Sequence, residues 1–106
     1  MLGARIAALR RSKDMSQSAL AAALGVSPSA VGMYEQGRRE PAAATLVELS
    51  RIFEVSTDYL LTGKPNRTEA AVIRSIIEKR LADSRRNAAL SPEEVAVLLA
   101  AVLTNP

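Results

Sequence analysis

Two groups of residues in this 106-residue chain have types and spacing that bear on chemistry. The first is the adjacent carboxylates Glu93 and Glu94, a pair that elsewhere serves acid–base catalysis or metal binding. Neighbours in a helix point about 100° apart, and no third ligand lies nearby in sequence. The pair therefore reads as the acidic first turn of a helix that begins at Ser91 and Pro92. Thr57 and Asp58 read the same way, as first-turn residues after a cap at Ser56. The chain has no Cys and no His, which removes disulfides, thiol nucleophiles, imidazole bases and the usual zinc sites. Neither an enzymatic activity nor a cofactor or metal is expected.

The second group is cationic. Arg11 and Lys13 precede, and Arg38 and Arg39 follow, a run from Met15 to Tyr34 that carries no charge. Cations on both flanks of an uncharged surface suit a polyanion held by its phosphates. Bulk charge adds little: the formal net charge is +3, divided as seven basic against six acidic groups in 1–63 and seven against five in 64–106. The case rests on placement. The uncharged run has the length of a bilayer span, but Gln17, four serines, Pro28 and two glycines interrupt it. Arginines in MLGARIAALRR fall where a secretory signal would need an apolar core, so a cytoplasmic location is expected and no membrane partner.

The elements that must position these groups are helices. A hydrophobic content of 48% with only 3% aromatic residues is mostly Ala, Leu, Val and Ile, which predicts an all-α chain. Leu2, Ile6 and Leu9 mark a first helix over about 2–13. Ser16 caps a short second one that carries Leu20, Ala21 and Leu24 and stops at Gly25. Ser27 and Pro28 open a third, with Val31 and Tyr34 as its buried stripe and Gly37 as its end. Pro41 opens a fourth, carrying Leu46, Leu49, Ile52 and Phe53. Ser56 caps a fifth, ending at Gly63. Tyr34, Phe53 and Tyr59, the aromatic residues, sit at apolar-periodic positions and are expected in the core.

Gly63, Lys64, Pro65 and Asn66 punctuate the chain, so one domain is predicted over 1–63 and a linker with a helical hairpin over 64–106. The hairpin stripes are Val72, Ile73, Ile76, Ile77 and Leu81, then Val95, Leu98, Leu99, Val102 and Leu103. Such a hairpin buries too little alone, and needs either the first domain or a second copy of the chain. A dimer seam of Ile73, Ile76, Ile77, Leu98, Leu99 and Val102 is the expectation.

The second and third predicted helices have helix-turn-helix spacing: small Ala21, a turn at Gly25, apolar Val31. With SQSALAAALGVSPSAV, YEQGRREP and VSTDYLLTG in order, the run from Leu2 to Gly63 resembles the phage-repressor type of domain, the Cro and C1 repressor family also called XRE. The resemblance implies a five-helix, lambda-repressor-like DNA-binding domain, here followed by two amphipathic helices. It implies a sequence-specific transcriptional regulator, a dimeric repressor on a palindromic operator, with double-stranded DNA as partner. It implies that Ser27, Pro28, Ser29, Gly32 and Met33 face the bases in the major groove. Gln17, Arg38 and Arg39 would meet phosphates, Arg11 and Lys13 would approach from the other flank, and Arg10 with Glu35 would form a structural ion pair. Relatives often carry Gln, Arg, Asn or Lys at groove-facing positions. Here those residues are short or apolar, so direct readout is expected to be thin and DNA shape to carry selectivity. The competing expectation is an antitoxin or adaptor whose last helices bind a partner protein, with DNA contact secondary.

Overall fold

Ser16, Ser27 and Ser56 each turn a hydroxyl onto the backbone N–H three residues ahead, at 3.0, 3.1 and 3.0 Å, and each begins a helix there. In the computed structural model, residues 2–82 and 91–104 are described, and among them all regular secondary structure is helical. The elements are α1 (Leu2–Ser12), α2 (Gln17–Leu24), α3 (Pro28–Glu35), α4 (Ala43–Phe53), α5 (Thr57–Thr62), α6 (Arg67–Ala82) and α7 (Pro92–Thr104). The side chains of Leu81 and Leu103, expected on the hairpin stripes, lie outside the described residues. The uncharged run splits into α2 and α3 at the left-handed Gly25, and no described helix is long and apolar enough to cross a membrane.

The start of α4 differs from expectation. Pro41 is buried ahead of the helix, and Ala42, extended at φ −64° and ψ 159°, is the N-cap without a side-chain bond. Proline 41 therefore ends the preceding loop instead of opening the helix. At its far end α4 stops on Glu54 in the left-handed region (φ 56°), a conformation that costs a non-glycine residue about 1 kcal/mol and that no local sequence signal announces.

One core runs through the described residues. Ile6, Leu9, Leu20, Val31, Leu49, Phe53, Tyr59 and Leu60 from α1–α5 share it with Ile73, Ile77, Leu98 and Ala101 from α6 and α7. The hairpin thus finds its partner in α1 of the same chain. This corrects part of the expected dimer seam: Ile73, Ile77 and Leu98 have at most 6% of their surface exposed and nothing left to offer a second copy. Ile76 and Val102 are half-buried, and Leu99 is exposed.

Two glutamates at helix starts hold the hairpin in place. Glu69 closes a capping box on α6, accepting from Asn66 N at 3.1 Å while its own N–H donates to Asn66 Oδ1 at 2.8 Å. The same carboxylate accepts from the backbone N–H and the hydroxyl of Ser56, so the starts of α5 and α6 are joined. Glu94 repeats the device on α7, accepting from Ser91 N at 2.9 Å and from Arg11 Nη1 of α1 at 2.8 Å.

Candidate nucleic-acid interface

The turn between α2 and α3 depends on three small or branched residues. Ala21, Ala30 and Val31 are buried where the helices cross, and Val26 N donates to Ala21 O at 3.0 Å across the left-handed Gly25. The buried arc of α3 is Ala30, Val31 and Tyr34. Ser27, Pro28 and Ser29 are exposed, and Gly32 and Met33 are half-exposed, so the residues expected to read bases lie on its outer side. The Ser27 hydroxyl already accepts from Ala30 N as the N-cap, which leaves its proton free to donate outward.

A polar cluster fixes α3 against α1 and α2. Arg10 Nε donates to Glu35 Oε2 at 2.6 Å and Arg10 Nη2 to Glu35 Oε1 at 3.3 Å, while Arg10 Nη1 reaches Met15 O at 2.7 Å. Gln17 Nε2 donates to Glu35 Oε1 at 3.0 Å. A forked pair with side chains only 12% and 8% exposed sets both the rotation and the height of α3. Gln17, expected on a phosphate, thus spends one amide hydrogen on Glu35. Its amide also lies 3.8 Å from where a Cβ of Gly32 would be, so it crosses α3 over that glycine.

At the carboxyl end of α3, Gly37 N donates to Tyr34 O at 3.2 Å and Arg38 N to Met33 O at 2.9 Å, with Gly37 left-handed at φ 74°. This Schellman turn needs a residue without a Cβ penalty, and it directs Arg38 and Arg39 away at once from the helix end. Both are exposed. The Arg39 guanidinium lies 5.9 Å from the centre of the Tyr34 ring, which orders it without neutralising it. The other two expected cations are engaged by acids: Arg11 with Glu94 at 2.8 Å, and Lys13 with Glu54 at 3.6 Å.

Two structural residues escaped the sequence pattern. A Cβ on Gly3 would overlap the carbonyl oxygens of Tyr34 and Glu35, so α1 crosses the end of α3 backbone to backbone. A glycine inside a predicted helix was the available signal. Arg5 is buried, donating through Nε to Leu60 O at 2.8 Å and through Nη2 to Leu61 O at 3.2 Å, and so caps α5 from α1. Burial holds its guanidinium below the usual arginine range, and a Cβ on Gly63 would sit 2.8 Å from its Nη1. Beside it, burial pushes the Tyr59 hydroxyl up to about 12, a shift opposed by Arg5 and aided by Glu69.

Known proteins are similar to this chain. The Helix-turn-helix family model matches residues 6–60. The SPbeta prophage-derived uncharacterized HTH-type transcriptional regulator YonR of Bacillus subtilis is 46% identical over 63 residues, which cover 59% of this chain and 58% of that protein. Repressor protein C2 of Salmonella phage P22 is 37% identical over 71 residues, 67% of this chain and 33% of the repressor. The crystal structure of the P22 c2 repressor protein in complex with synthetic operator 9T superimposes with a TM-score of 0.59 at 38% identity, covering 60% of this chain and 97% of that one. The chain matches between a third and three fifths of the length of these two relatives. With a family model that spans α1 to α5 and a capped, pinned α3 whose outer side is open, the chain belongs to the helix-turn-helix family, in the phage-repressor type.

Proposed function

We propose that this protein is a DNA-binding transcriptional regulator, a repressor, that inserts α3 into the major groove of its operator. The observation that carries the proposal is the Arg10–Glu35–Gln17 cluster. It spends a nearly buried ion pair on fixing the rotation of a helix whose opposite face is uncharged and open. Arg38 and Arg39, thrown outward by the turn at Gly37, would take the adjoining phosphates, and Ser27, Pro28, Ser29, Gly32 and Met33 would face the bases. Arg11 and Lys13 would join only by leaving Glu94 and Glu54. P22 c2, bound to its operator, supports the same use of the domain.

Two arginines per chain make a small phosphate footprint, and a twofold dimer doubles it. Leu99, 41% exposed on the charge-free run from Val95 to Leu103, is the side chain around which a second copy would pack. Selection of bound duplexes from a random pool, with the mass of the selected complex, tests both parts. The expected result is a palindrome with half-sites about 34 Å apart or a multiple of that, and two chains per duplex. Failure to enrich any sequence would remove the regulator assignment. Leu99→Asp should give a folded monomer with weaker operator binding. If that variant stays dimeric, α7 is not the seam, and if the wild type is monomeric but holds another protein, the adaptor alternative takes precedence.

A further inference from the structure

Gln36 extends the reading face beyond the residues that the family resemblance implies. Its backbone still follows the helix: φ is −83°, ψ is −5°, and its N–H donates to Gly32 O at 3.0 Å in the i to i−4 pattern. At about 100° per residue, with Pro28 set at zero, Gly32 falls near 40°, Gln36 near 80°, Ser29 near 100° and Met33 near 140°. The buried side chains Ala30, Tyr34 and Val31 fall between about 200° and 300°. Gln36 therefore stands close to the middle of the open arc, one turn beyond Gly32, the glycine over which the Gln17 amide crosses. It is exposed, and among the described residues its amide has no hydrogen-bond partner, in contrast to Gln17. Arg38 follows two residues later to hold the backbone.

We propose that Gln36 is a base-reading residue, which recognises an adenine in each half-site. Of the residues from Pro28 to Gln36 on the open arc, Gln36 alone carries a primary amide, with a donor and an acceptor side by side, the pair that matches adenine N7 and N6 in the major groove. Ser29 offers one hydroxyl, Met33 an apolar contact, Pro28 and Gly32 nothing polar. On this proposal direct readout is concentrated at the carboxyl end of α3, beyond the short and apolar residues of its amino-terminal half. The assignment rests on the proposed regulatory function, so its test is built to fail separately.

The test is duplex selection with full-length wild type, Gln36→Ala and Gln36→Glu, each checked for an unchanged helical spectrum and melting temperature. Wild type should prefer adenine at one position per half-site. Gln36→Ala should flatten that position by roughly tenfold to a hundredfold, with other positions and the salt slope unchanged. Gln36→Glu should move the preference toward cytosine, whose N4 amine needs an acceptor. Identical sites selected by all three proteins, or an equal loss at every position, would overturn the assignment. A wild type that enriches nothing overturns the regulatory function and this residue's role with it, an outcome distinct from an enriched site that ignores residue 36.

Discussion

Arg11 of α1 and Glu94 of α7 meet at 2.8 Å, and the carboxylate oxygen that takes the guanidinium also takes the backbone N–H of Ser91 at 2.9 Å. One atom thus starts the last helix and fastens it to the first. The two tasks differ in energy. Losing the capping box costs about 1 kcal/mol, while the Arg11 side chain is half-exposed and its ion pair contributes less than that. Glu94→Ala should lower stability in urea by about 1–2 kcal/mol and raise amide exchange in α7, with Arg11→Ala costing under 1 kcal/mol. A larger loss for Arg11→Ala than for Glu94→Ala would show that the cap is the minor part.

In the Arg10–Glu35 pair both side chains are shielded, with 12% and 8% exposed, whereas Arg11 is 47% exposed. Removing either leaves the other charge stranded, at a cost of about 3 kcal/mol. Arg10→Ala and Glu35→Ala should each destabilise by that order, and the double variant should cost much less than the sum. Additive losses in a double-mutant cycle measured by urea denaturation would deny the coupling.

Arg38→Ala and Arg39→Ala should weaken binding to every duplex alike, without altering the selected sequence. If each contacts one phosphate, the slope of log K against log salt falls by about 0.9 per substitution and per chain. Fluorescence titration from low to moderate salt measures it. A changed base preference with an unchanged slope would move these arginines off the phosphates.

Tyr59 is fully buried, its hydroxyl unpartnered among the described residues, and its pKa is pushed up to about 12 by burial, with Arg5 of α1 opposing and Glu69 of α6 adding to the shift. A folded-state pKa above the unfolded value means that the neutral phenol belongs to the fold. Its stability contribution is complete below about pH 10 and is lost as pH rises through about 12, a decline on the order of 2 kcal/mol. Tyr59→Phe should remove that alkaline decline and be at least as stable as wild type at pH 7. Parallel pH–stability curves for the two proteins between pH 9 and 12 would disprove it.

Much of α1–α5 was legible because its signals close over a few residues. Ser16, Ser27 and Ser56 cap within one turn, and Gly25, Gly37 and Gly63 end helices where the backbone turns left-handed. Glu54 performs the same ending without any residue preference to announce it. The Asn66–Glu69 box was hidden inside what read as linker punctuation.

From the sequence alone came the helical class, the helix-turn-helix spacing, the cations on its flanks and the amphipathic character of the last two helices. Only the tertiary structure decided what those last helices cover. Hydrophobic burial has no direction, so the stripes of Ile73, Ile77 and Leu98 are satisfied equally by another copy or by the chain's own α1. Directional partners broke the tie: Glu69 found the start of α5, and Glu94 found Arg11. Such pairings join residues 13 and 83 positions apart, and no local pattern encodes them.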